Sequence, residues 1–82
     1  MDIIHQPERL RFVYEAEGEI ALVEYRYVNE TTVDFHHTFV PPTMRKHGLA
    51  LKLVDAAGAW AKTQQFQIEA SCWFAHKRLL GK

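Results

Sequence analysis

From Glu19 to Val28 the side chains alternate, with Ala21, Val23, Tyr25 and Tyr27 on one side and Ile20, Leu22, Glu24 and Arg26 on the other. A period of two marks a strand with one buried face. The same period returns over Thr32–Val40, which puts Val33, Phe35, His37 and Phe39 on one face and Asp34, His36 and Thr38 opposite. Arg11–Glu15 is a shorter run of the same type. Glu17-Gly18 and Asn29-Glu30-Thr31 supply turns between the three runs, so an antiparallel meander is predicted. Pro41-Pro42 ends the third strand because proline has no N–H for a ladder. The period then changes: Leu49, Leu53, Val54, Ala57, Trp60 and Ala61 fall on one helical stripe, with the helix ending near Gln64 or Gln65. Phe66, Ile68, Ala70 and Cys72 alternate with Gln67, Glu69 and Ser71 as one more strand, and Trp73–Leu80 is read as a short terminal helix. A strand–helix–strand crossover makes its two strands parallel neighbours or near-neighbours. The expectation is an α+β chain, an α/β-type sandwich in which a helix lies across a small mixed β-β-β-α-β sheet, with residues 1–82 as a single domain.

Composition agrees with one small folded unit. Of 82 residues, 48% are apolar and 12% aromatic, which excludes a disordered chain. Cys72 is the only cysteine, so neither an internal disulfide nor a zinc-thiolate set can form, and the expected compartment is the reducing cytoplasm. The opening residues have no basic lead or long apolar run, so export and membrane association are not expected. Charge is balanced overall yet unevenly spread. Residues 1–40 carry three basic and eight acidic side chains, and residues 41–82 carry seven basic and two acidic. The second half should attract anions unless the halves cancel across the fold. Its cations are scattered without interleaved aromatics, which argues against nucleic acid.

The candidate chemistry lies around the strand-to-helix junction. Pro41 to Ala50 contains Arg45, Lys46, His47 and Gly48 just where unpaired amides and the positive end of a helix dipole would meet an anion. Read alone, Arg45-x-x-Gly48-x-Ala50 is more readily an ordinary helix start with solvated cations. Regular alternation points His37 toward the helix-covered side, where Cys72 also points. Each alone is a common core residue. Together, an imidazole beside a thiol makes a nucleophile of a group that otherwise titrates near about 8.5. The five histidines form no metal-ligand spacing.

The run His37-Thr38-Phe39-Val40-Pro41-Pro42, then Arg45-x-x-Gly48-x-Ala50, then a long helix and a strand ending Ser71-Cys72-x-Phe74-Ala75, resembles the short-chain branch of the GNAT-like N-acetyltransferases. The resemblance extends from about Leu10 to Ala75. It implies an acyl-CoA N-acyltransferase fold and an enzyme that moves acetyl from acetyl-coenzyme A to an amine, with no metal. It also implies that two splayed strands admit the pantetheine arm beside Phe39 and Val40. Backbone amides of Arg45, Lys46, His47, Gly48, Leu49 and Ala50 would then hold the pyrophosphate, and Cys72 with His37 would form the catalytic pair. Both a direct attack on the thioester and an acetyl-cysteine route are open. Trp73 stands where the branch often has proline, and Lys46 where a fuller loop has glycine. The alternative function is a module that holds coenzyme A or a protein partner without turnover. A monomer or weak homodimer is expected.

Overall fold

The computed structural model describes residues 2–81. Five strands form one sheet in the order β1 (Ile4–Gln6), β2 (Arg11–Ala16), β3 (Glu19–Asn29), β4 (Thr32–Phe39) and β5 (Gln67–Glu69). The first three neighbouring pairs are antiparallel, and β4 with β5 is parallel. Helix α1 (Leu49–Thr63) makes the crossover, and α2 (Trp73–Leu80) follows β5. A 3-10 helix over Pro42–His47 fills the segment between the double proline and α1. The meander, the parallel crossover and both helices match the sequence pattern. The strand β1 was not anticipated, because three residues with mixed polarity carry no period of their own.

The turns form for local reasons. Glu17 and Gly18 both have positive φ, 53° and 78°, the geometry of a two-residue hairpin whose twist suits antiparallel strands. Asn29 Oδ1 accepts from the Thr31 amide at 2.9 Å and from its hydroxyl at 3.0 Å, which tightens the next turn. One sheet face carries Phe12, Ala21, Val23, Tyr25, Val33 and Phe35, all buried with Leu53, Val54, Ala57 and Ala61 of α1. On the same side α2 lies beside α1 and buries Ala75 against it. Gly58 permits this approach, since a Cβ there would lie 2.6 Å from Leu79 Cδ2.

At one end of this core His5 stacks on Phe12, ring centroids 4.1 Å apart and planes within 3°. Its Nε2 lies 2.7 Å from the Tyr25 hydroxyl, and Trp60 closes the group edge-on at 4.7 Å. Burial, against the weaker opposing pull of Glu8, lowers the His5 pKa, and burial first of all pushes Tyr25 up to about 12. His5 is thus a packing group that pins β1 to the sheet.

The β3–β4 register departs from plain alternation. Tyr25 pairs with Phe35 while Glu24 pairs with His37, so His36 is an extra residue on β4. Such a bulge reverses the inside and outside positions beyond it. Thr38, opposite Val23, now faces the helices. His37 and Phe39, opposite Glu24 and Leu22, face outward and are exposed. Plain alternation had His37 and Phe39 inward. The bulge keeps a titratable ring out of an aliphatic core, where it would need a partner.

Candidate active site

Strands β4 and β5 part at the level of Asp34. Their parallel register runs Thr32–Gln67, Val33–Ile68 and Asp34–Glu69, then stops. The alternation through Cys72 predicts a longer strand, and Asp34 explains why it ends early. Its carboxylate accepts from the Ser71 amide at 2.8 Å and from the Ser71 hydroxyl at 2.8 Å. It also accepts from Arg26 Nε and Nη2, both at 2.9 Å. The Ser71 amide is thus drawn to a side chain and not to a ladder carbonyl. One further bond, from the Cys72 amide to the Phe35 carbonyl at 3.1 Å, closes the fork. Asp34 is 4% exposed, and desolvation alone would raise its pKa. The two Ser71 bonds and Arg26 outweigh that and hold the carboxyl below its ordinary value.

Beyond the fork, the side of β4 that faced β5 has no strand partner among the described residues. An open groove of about 440 Å³ runs along it, lined by Thr38, Phe39, Val40, Arg45, Ala50, Trp73 and Phe74. Four of the residues expected to touch a cofactor, Phe39, Val40, Arg45 and Ala50, therefore share one wall system. Arg45 Nε donates to the Val40 carbonyl at 2.9 Å, which ties the loop to the end of β4 and engages that acceptor. Gly48, with φ of 64°, turns the 3-10 helix into α1. Gly48, the N-cap of α1, has no side chain with which to cap the first turn, so the amides of Leu49 and Ala50 retain their capacity for an anion. The side chains of Lys46 and His47, expected to add positive charge, lie outside the described residues.

Cys72 sits at the N-terminal end of α2, half-buried, with Sγ 3.6 Å from Thr38 Oγ1. Burial opposes ionisation, but the amides of Ala75 and Phe74 and the Thr38 hydroxyl favour the thiolate, and the net pKa is lowered. The expected Cys72–His37 pair is not assembled. The bulge at His36 sends the imidazole to the opposite sheet face, and Thr38 is the partner that Cys72 has. Among the described residues no group of three or more His, Cys, Asp or Glu side chains is disposed to hold a metal ion.

The sequence pattern assigns Thr38, Asp34 and Ser71 no role of their own. An acidic residue inside an otherwise apolar strand, and two adjacent histidines interrupting its alternation, are the signals that point to them.

Known proteins resemble this chain in sequence and in overall fold. Residues 11–81 match the family model described as GCN5-related N-acetyl-transferase. The protein NATD1 of Xenopus tropicalis is 32% identical over 75 residues, covering 89% of this chain and 69% of that protein. The protein NATD1 of Gallus gallus is 29% identical over 79 residues, covering 94% and 72%. A GCN5-like protein from Staphylococcus aureus, solved in solution by NMR, superposes with a TM-score of 0.74 at 26% identity, covering 98% of this chain and 78% of that one.

Proposed function

Because the chain belongs to the GCN5-related N-acetyltransferase family, we propose that it transfers an acetyl group from acetyl-coenzyme A to an amine. The observation that carries the reading is the groove itself. It starts at a fork between parallel strands, follows the unpaired edge of β4 and ends at the uncapped start of α1. An extended amide-containing arm can bond an open strand edge, and a pyrophosphate suits helix N-terminal amides. Phe39 and Val40 would flank the arm, and the backbone of Arg45 to Ala50 would hold the phosphates.

The reaction needs the amine nitrogen to attack the thioester carbonyl carbon, the C–S bond to break, and the coenzyme sulfur to leave with the electron pair. One proton leaves the amine and one reaches the departing sulfur. Having His37 and Cys72 on opposite sheet faces supports direct transfer over an acetyl-cysteine route. In this reading His37 takes the amine proton from the outer side, and the acidified Cys72 thiol, held by Thr38, supplies the other. An N–H of the unpaired β4 edge stabilises the carbonyl oxygen as its charge grows.

Intact-mass and turnover measurements test this together. The wild type should acetylate members of an amine panel with no lasting protein adduct. Cys72→Ser should slow turnover, and Cys72→Ala should slow it further. An acetyl adduct that disappears in Cys72→Ser would replace direct transfer by the covalent route. Binding of acetyl-coenzyme A with no transfer to any amine would leave the non-catalytic module.

A further inference from the structure

Helices α1 and α2 pack on one face of the sheet. The opposite face carries an apolar stripe across four strands, because Ile4, Val13, Leu22 and Phe39 are successive cross-strand partners. Ile20, two residues from Leu22 on β3, widens it. Val13 is 5% exposed although it lies outside the core cluster, so its neighbours on this face already shield it. Ile4 and Phe39, at the two ends, are 56% and 45% exposed. At the Ile4 end is a depression of about 490 Å³ whose lining includes Ile4, Val13 and Ile20. The other end reaches the acyl-donor groove, which Phe39 also lines.

A polar row runs beside the stripe, since Gln6, Arg11, Glu24 and His37 are likewise successive partners. Arg11 Nε donates to Gln6 Oε1 at 2.7 Å, and Arg11 makes no ion pair with Glu24. Glu24 is half-buried, and its carboxylate has no ion-pair partner among the described residues. A carboxylate directly across the ladder from His37, the base of the proposed reaction, attracts a cation to the place where an amine must react. A sheet face presents side chains only, since its backbone groups are spent in the ladders. Hydrocarbon therefore suits it better than a peptide, whose amides seek a strand edge.

We propose that this stripe binds the acceptor, and that the acceptor is a primary amine on an unbranched hydrocarbon chain. Its ammonium sits against Glu24, and its chain runs over Leu22 and Val13 toward Ile4. The inference rests on the acetyl-transfer reading above and supplies its substrate class. From Phe39 to Ile4 is three strand spacings, about 14 Å, so a chain of about ten carbons fills the stripe. Glu24 attracts and orients the cation, which gives one proton to water before the neutral nitrogen attacks.

Steady-state acetylation by the full chain of linear amines from butylamine to dodecylamine tests it, with the diamine of decane and a lysine-containing peptide as alternative acceptors. The kcat/KM should rise about twofold per methylene to about ten carbons and then level, because each methylene covers apolar surface on a partly open face. Ile4→Ser, at an exposed position, should cut kcat/KM about threefold more for decylamine than for butylamine. Glu24→Gln should raise KM about fivefold and lower kcat less than about twofold. Rates independent of chain length, equal losses on both amines in Ile4→Ser, or an unmoved KM in Glu24→Gln would overturn the proposal while leaving acetyl transfer intact. So would a diamine that outruns decylamine, which would put a second cation at Asp2 and Glu15 of the depression, or a peptide that outruns both. No acetylation of any amine would remove the acetyl-transfer reading and this one with it.

Discussion

Replacing Asp34 by alanine removes the group that ends the β4–β5 ladder, and its cost can be worked from the contacts. The carboxylate is 4% exposed and accepts four bonds of 2.8 to 2.9 Å, two from Ser71 and two from Arg26. Removing one partner of a buried pair typically costs about 3–5 kcal/mol. Here the Arg26 side chain is 62% exposed and rehydrates when released, so its share is discounted. The Ser71 amide, left without an acceptor, costs about 1–3 kcal/mol. The sum is about 2–4 kcal/mol, against the roughly 4–12 kcal/mol expected for a domain of this length. That is a fall in Tm of roughly 10–25 °C. Asp34→Asn keeps one acceptor oxygen for Ser71 and should lose about half as much. The pH dependence gives an independent check. The folded pKa lies below the unfolded one, so the carboxylate's contribution is complete above the unfolded value near 3.8 and is lost as pH falls through the folded value. The alanine variant should lack this part of the acid limb. Urea unfolding followed by circular dichroism between pH 3 and 7 reads both quantities. A loss below about 0.5 kcal/mol, or an acid limb unchanged from wild type, would show that Asp34 does not hold the end of the ladder.

Three further outcomes follow from the site and the core. Gly48→Glu should abolish acetyl-coenzyme A binding through its added negative charge beside the α1 amides, and should cost about 1–2 kcal/mol of stability because φ there is 64°; calorimetry and thermal melting separate the two effects. Thr38→Val, nearly isosteric, removes a hydroxyl that favours the Cys72 thiolate, so the thiol should titrate higher when followed by its rate of alkylation against pH; an unmoved titration would deny Thr38 that role. His5 has a lowered folded pKa, so its contribution to stability is complete above about 6.5 and is lost as pH falls toward the folded value. His5→Phe should remove that dependence in chemical unfolding between pH 7 and 5.

The meander, the crossover helix and the terminal helix were legible because each is a long or strongly periodic pattern with a clear stop signal. Glu17-Gly18, Pro41-Pro42 and the stripe from Leu49 to Ala61 act locally, and local signals survive in sequence. The inward placement of His37 failed because a single inserted residue, His36, reverses every position after it, and strict alternation has no means of marking such an insertion. The early end of β5 was hidden because its cause is 37 residues away, in the carboxylate of Asp34. The pairing of Cys72 with Thr38 depends on both of these long-range features, so it emerges only when the strands are laid side by side.

The proposed function requires that the parted strands and the start of α1 hold one acyl donor. An amide-resolved NMR titration of the labelled protein with acetyl-coenzyme A tests it most directly, with S-acetyl-4′-phosphopantetheine and adenosine diphosphate as controls. Saturable shifts are expected at Thr38 to Val40, Gly48 to Ala50 and Cys72 to Phe74, with the phosphopantetheine reproducing all three sets and adenosine diphosphate only the second. Saturable shifts elsewhere, or none at millimolar donor, would contradict it and return the groove to an ordinary helix start beside an open strand edge.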